Sequence, residues 1–248
     1  MSAPHLLHRW DLEPQEAMQV QHELASKVIR EDQCGEVKIV AGIDISANDR
    51  TGLARAAIVA LAYPSMEVLE RVRQEEALRF PYIPGLLSFR EAPSIIAGFQ
   101  KLRYKPDLLM VDGQGLAHPR RFGIACHLGV LLDVPSIGCA KSILRGHLSG
   151  ELGQEVGAHV PLIDGQEIIG AGLRTKVHTN PLIVSIGHRI SLETAVAYVL
   201  ACCRGYRLPE PTRQAHITAS TRGDMSGGRS GEGTNTQPPQ APTLWGNG

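Results

Sequence analysis

Apolar residues first recur at helical spacing between about Pro14 and Arg30, where Ala17, Val20, Leu24 and Val28 share one face and Pro14 suits a first turn. The pattern then changes. Val37 to Ser46 is a Val/Ile-rich run containing Gly42-Ile43-Asp44, which predicts a buried strand with an acid near its end. Ala54 to Tyr63 predicts a second strand, Pro64-Ser65 a turn, and the alternation from Met66 to Glu75 a third. Three strands joined by short turns imply an antiparallel meander. Beyond it, helical spacing from Arg90 to Leu102 alternates with the apolar run Asp107 to Asp112. A helix from Pro119 to Leu132 and a strand from Val134 to Cys139 follow. Helix and strand in alternation favour parallel pairing in this half. Shorter strands are predicted at Val156–Pro161, Glu167–Arg174 and Leu182–Ile186, and a helix capped by Ser191 runs to Arg204. The fold class is therefore α/β, with a mixed sheet flanked by helices.

From Thr221 onward Gly, Ser, Thr, Gln and Pro dominate, so residues 221–248 are expected to be a disordered tail behind a domain of residues 1–220. Lys plus Arg equals Asp plus Glu at 25 each, so contact with nucleic acid has to come from local basic patches. Candidates are Arg71 and Arg73, Lys101 to Lys105, Arg120-Arg121, Lys141 to Arg145 and Arg174 to Lys176. Five cysteines without C-x-x-C spacing argue against a disulfide framework or a thiolate zinc site. No apolar run is long enough to span a membrane, and the N-terminus lacks the pattern of a secretory signal. A cytoplasmic protein, acting as a monomer, is the expectation.

Candidate chemistry lies at the strand ends. Asp44 and Asp112 each close a predicted core strand, and adjacent strand ends in an α/β sheet meet at the crevice where ligands bind. Glu91 could add a third carboxylate from a helix start. Hard oxygen donors of this kind suit Mg²⁺, which can polarise a phosphodiester and activate water. Taken singly, Asp44 serves as well for a strand-end cap, Asp112 for a turn residue and Glu91 for a complement to the helix dipole. Lys141, after a short strand, could stabilise developing negative charge; a surface lysine is the ordinary alternative. His118 could touch a base or phosphate, or cap a helix. His216 could ligate a metal or donate a proton. Between the meander and the next helix, Phe80-Pro81-Tyr82-Ile83-Pro84-Gly85 forms a stiff loop, because each proline fixes its own φ and restricts the residue before it.

These motifs resemble the endonuclease V family of deoxyinosine-specific nucleases. The likeness is carried by Val40-Ala41-Gly42-Ile43-Asp44, by Phe80 to Leu87 with Phe89-Arg90-Glu91, and by Val111-Asp112-Gly113-Gln114-Gly115 with His118-Pro119-Arg120. It continues through Gly138-Cys139-Ala140-Lys141-Ser142 and Tyr206-Arg207-Leu208-Pro209-Glu210-Pro211. The resemblance implies a ribonuclease-H-like fold. It also implies Mg²⁺-dependent hydrolysis of the second phosphodiester 3′ to a deaminated adenine, with Mn²⁺ able to substitute. Asp44, Glu91 and Asp112 would hold the metal, Lys141 would be the catalytic lysine, and His216 would stand near the metal. Tyr82, flanked by Pro81, Ile83 and Pro84, would fill the gap left by an extruded base, and Leu87, Gly113, His118 and Leu144 would line its pocket. The amide of Leu144 or of Gly113 is the expected reader of the 6-oxo group of hypoxanthine. The implied partner is damaged DNA containing deoxyinosine. An inosine-specific endoribonuclease of the same fold is the alternative reading. An actin-like ATPase or kinase is a more distant one, weakened by the short chain and by the lack of a P-loop. A catalytically dead inosine-binding module is a third, against which the intact acids count.

Overall fold

The computed structural model describes residues 7–221; the expected tail beyond Thr221 lies outside the described residues. Helix α1 (Pro14–Ala25) opens with a capping box between Glu13 and Glu16 and turns Ala17, Gln21 and Leu24 inward. It stops five residues short of the expected Arg30, and Val28 packs on the core from non-helical backbone.

The meander forms as expected: β1 (Ile39–Asn48), β2 (Leu53–Ala62) and β3 (Val68–Ala77) pair antiparallel. Helix α2 (Leu87–Lys101) follows, then β4 (Leu108–Val111), α3 (Ile124–Leu132), β5 (Ser136–Ala140) and β6 (His147–Leu148). The chain continues through β7 (His159–Asp164), β8 (Glu167–Leu173), β9 (Leu182–His188), α4 (Leu192–Ala201) and α5 (Glu210–Ser220). One mixed sheet runs in the order β3-β2-β1-β4-β5-β9-β8-β7-β6. Only β1–β4 and β4–β5 are parallel; β9 turns the rest of the sheet antiparallel. No helix among the described residues is long and apolar enough to cross a membrane.

Two apolar layers sandwich the centre of this sheet. Ala41, Ile43 and Ile58 pack with Ile95 of α2 and Leu128 of α3, while Val40, Val59 and Met110 face a core that includes Val199 of α4. A smaller cluster binds the proline loop to α1. Phe80, Leu86 and Phe89 are all but fully buried beside Ala17. Each such side chain contributes about 2–3 kcal/mol of burial, which fixes both ends of the loop.

Three differences from the sequence pattern bear on the site. Helix α2 begins at Leu87, so Glu91 sits in its second turn and not at its start. Helix α3 begins at Ile124, because residues 119–123 make a tight connection with Arg121 at φ +54°. Helix α5 was not expected at all. Prolines break a helix interior, but Pro209 occupies the N-cap and Pro211 the first turn, where no backbone donor is needed. The start of α5 lies directly on β1. A Cβ on Gly42 would meet the Pro211 carbonyl oxygen at 1.8 Å, so only glycine permits this approach.

Candidate active site

Strand register brings the two aspartates together. In the parallel pair β1–β4, Ile43 lies beside Val111, and the Asp112 amide donates to the Ile43 carbonyl at 2.8 Å. Asp112, just past the end of β4, therefore sits beside Asp44, which does not close its strand as expected but lies inside it, because pairing with β2 carries β1 on to Asn48. Helix α5 supplies the third group: Nδ1 of His216 donates to Oδ2 of Asp44 at 2.9 Å. One ligand atom from each of Asp44, Asp112 and His216 falls within 4.8 Å of the others. Lys141, just past β5, donates to Oδ2 of Asp112 at 2.5 Å. The sequence expectation thus meets on Asp44, Asp112, Lys141 and His216.

Glu91 stands apart from that three-residue group but faces the same cavity. Burial pushes its carboxyl up to about 7, reinforced by the charges of Asp44 and Asp112 and opposed by Arg90. Burial also raises Asp112, against the pull of Lys141. Carboxylates crowded this way favour holding protons or a cation. A hard, oxygen-rich donor set with one imidazole fits a divalent metal ion, with Asp44, Asp112 and His216 as the gathered ligands and Glu91 at hand.

The cavity holds about 450 Å³ and is lined by Tyr82, Pro84, Leu87, Gly113, His118 and Leu144 along with the acids and Lys141. Tyr82 projects at its rim, 63% exposed, with the Arg90 guanidinium 5.9 Å from the ring centroid. Pro81 and Ile83 do not line it: Pro81 is exposed, and Ile83 packs on the cluster beneath the loop. They shape the loop from outside the pocket.

His118 has a role that its sequence context left open. Its Nδ1 accepts the Arg120 amide at 3.1 Å, so Nε2 carries the proton and donates to the Gly85 carbonyl at 3.0 Å. Burial, with help from Arg120, lowers its pKa to about 4, so the ring is neutral. Both nitrogens are spent within the protein, and a ring face is what remains for a ligand. Gly85, at φ +81°, also accepts from Nε2 of Gln21 at 2.9 Å and from the Arg120 guanidinium at 2.7 Å. Gln21 in turn accepts from Nε of Arg120 at 2.5 Å. This hub holds the tip of the proline loop against α1 and the 118–120 turn.

Sequence reading missed Gln21. Its signal was a polar residue on the buried stripe Ala17, Gln21, Leu24, where burial demands a hydrogen-bond partner. It also missed Gln114, whose Nε2 donates to the Ser142 carbonyl at 2.8 Å and ties the Asp112 turn to the loop after Lys141.

The Endonuclease V family profile matches residues 22–217 of the chain. The chain belongs to the Endonuclease V family. Endonuclease V of Gloeobacter violaceus is 52% identical over 212 residues, 85% of this chain and 86% of its own length. The crystal structure of Endonuclease V from Streptomyces avermitilis superposes with a TM-score of 0.80 at 38% identity, covering 85% of this chain and 92% of that one. The catalytic domain of human Endonuclease V gives 0.77 at 35%, covering 83% and 93%. Membership makes the chain a hydrolytic nuclease and agrees with the mixed sheet expected from its sequence.

Proposed function

We propose that this Endonuclease V family member is a DNA repair enzyme. In this reading it hydrolyses the second phosphodiester bond on the 3′ side of deoxyinosine, leaving 3′-hydroxyl and 5′-phosphate ends. The observation that carries it is the gathering of Asp44, Asp112 and His216 at a cavity whose rim bears the exposed Tyr82. Support also comes from the Ciona intestinalis Endonuclease V, 29% identical with a TM-score of 0.74, which was crystallised with a 23mer DNA containing an inosine followed by a ribo-adenosine.

Each group has a task. Asp44, Asp112 and Glu91 would hold Mg²⁺, for which Mn²⁺ could substitute, with His216 standing beside the ion. The bound ion would supply charge neutralisation at the phosphate and a more acidic water. His216 keeps its Nδ1 on Asp44, which leaves Nε2 of a half-exposed ring to pass a proton. The Lys141 ammonium, 41% exposed at the cavity mouth, offsets negative charge gathering on the phosphate. Tyr82 enters the stack as the damaged base leaves it, offsetting an extrusion cost of a few kcal/mol. The base then lies against Leu87, His118 and Leu144. The amide of Gly113 or Leu144 donates to its 6-oxo group, which adenine lacks. Five free thiols support a reducing, cytoplasmic setting, and nothing in the reaction requires more than a monomer.

A second reading, cleavage of RNA at inosine, is favoured by the ribonucleotide that follows inosine in the Ciona complex. One experiment serves both. End-labelled DNA and RNA strands of matched sequence, each with a single inosine, are incubated with the protein and Mg²⁺, and the cut is mapped. A metal-dependent cut one nucleotide beyond the 3′ neighbour bond of inosine in DNA is expected. Cutting that ignores inosine, or is confined to RNA, overturns the DNA reading.

A further inference from the structure

A second cavity of the described residues lies apart from the one at the acids. It is a groove of about 890 Å³ at the β3 edge of the meander, bounded on the Asp44 side by Ser46, Arg55, Arg73, Glu75 and the end of α5. Its position follows from register. Asp44 lies opposite Ala57, and Ala57 opposite Arg73; in the next row Ser46 lies opposite Arg55, and Arg55 opposite Glu75. Residues two apart on a strand share a face, so Arg73 and Arg55 point to the same side as Asp44. Arg73 is two strands away, roughly 10 Å at ordinary strand spacing. The near wall adjoins the acids. Ser46 is the next same-face residue after Asp44, and Ser220 lies one helical turn beyond His216, whose carbonyl it caps at 2.9 Å.

The groove is cationic. On the Asp44 side Arg55 and Arg73 line it against the single anion Glu75, which Arg55 engages at 2.5 Å, while Lys101 is tied to Gln74 on the other side of β3. Most basic residues that stand out in the sequence are committed elsewhere. Arg121 and Arg145 are paired with Asp164, Arg71 donates to Gln214, and Arg120 is fixed on Gly85. Arg73 has no ion pair and no side-chain hydrogen bond among the described residues, although it is partly buried. A half-buried guanidinium without a carboxylate, facing a groove beside a phosphodiesterase site, matches a phosphate oxygen in charge and geometry.

We propose that this groove binds the backbone of the substrate strand beyond the scissile bond, with Arg73 gripping a phosphate a short reach from the acids. The proposal deepens the reading given above and rests on it only for the identity of the strand. A positioning contact of this kind adds affinity without reading sequence.

The test uses the full-length protein in EDTA and labelled single-stranded oligonucleotides with and without inosine, titrated between about 50 and 200 mM salt. Arg73→Gln is expected to weaken binding ~3- to 10-fold at the lower salt and to flatten the plot of log K against log salt by roughly 0.7, the loss of one phosphate contact. Arg73→Lys keeps the charge and should keep most of the slope. Lys38→Gln is the control, since this 70%-exposed lysine precedes the opposite end of β1. A neutral methylphosphonate walked along the strand should weaken wild-type binding at one position 3′ of the cut, and leave Arg73→Gln unaffected there; a sensitive position only on the 5′ side overturns the proposal. Equal slopes for Arg73→Gln, Lys38→Gln and wild type overturn the groove proposal. Salt slopes that respond to Arg73 in a protein that never cuts inosine strands overturn the function and leave the groove standing.

Discussion

The two ends of the cavity are held in different ways. At the acid end, backbone does the positioning: parallel register sets Asp44 beside Asp112, and the close contact of α5 on Gly42 sets His216. At the loop end, side chains do it: Gln21, His118 and Arg120 all converge on one carbonyl, that of Gly85. The acid end is charged and electrostatically tense, whereas at the loop end three donors meet on the Gly85 carbonyl around a neutral His118. Chemistry at the first should therefore be lost by changing one atom, without loss of fold. Geometry at the second should be lost by disturbing a residue that never touches substrate.

The largest effect should come from the acids. Asp112→Asn keeps shape and removes charge, and should lower the cleavage rate on inosine DNA on the order of a thousandfold, about 4 kcal/mol of barrier. The thermal midpoint in EDTA should not fall, because a destabilising charge among like charges has gone. Single-turnover rates near wild type would remove Asp112 from the site.

Next comes pH. Without metal the folded state keeps the Glu91 proton up to about 7, whereas the unfolded chain releases it near 4.5. The folded state binds more protons across that window, so stability is greatest below it and declines as pH rises through about 7. The full swing is roughly 3 kcal/mol, and Asp112 adds to it with the same sign. Midpoints in EDTA should fall between pH 5 and pH 8, Glu91→Gln should flatten the trend, and Mg²⁺ should offset it. A metal-free midpoint that climbs over this range would show that the carboxylates are not crowded.

The smallest effect tests the loop. Gly85→Ala places a β-carbon at φ +81° and 2.8 Å from the Arg120 guanidinium, a cost of about 1–2 kcal/mol. That strain should appear as a weaker engagement of inosine duplex, read as a raised KM, more than as a lowered kcat. Tyr82→Ala should weaken inosine duplex more than undamaged duplex, by about tenfold or less. Equal losses on both would deny Tyr82 its place in the gap.

How far the sequence foretold this depends on the range of each interaction. The strands were legible, because apolar runs are local signals carried by Val40 to Asp44 and Leu108 to Asp112; that Asp44 lies inside its strand and does not end it was not, since pairing with β2 extends β1 to Asn48. Helix α5 was not, since Pro209 and Pro211 are breakers everywhere except at a helix start. The partnership of His216 with Asp44 spans 172 residues and that of Gln21 with Gly85 spans 64. Nothing in either neighbourhood announces the other. His118 was read as a ligand contact or a cap; its bond from the Arg120 amide is local, but the one that makes it a brace, to the Gly85 carbonyl 33 residues away, comes only with tertiary packing.

The missing side chain at Gly42 also fixes an order of assembly. Both aspartates are made well before the helix that brings the imidazole, and that helix can seat only where β1 offers bare backbone. A newly made chain therefore carries its carboxylates without the imidazole until α5 docks. A side chain at position 42 would stand where the Pro211 carbonyl lies and so part the imidazole of His216 from Asp44.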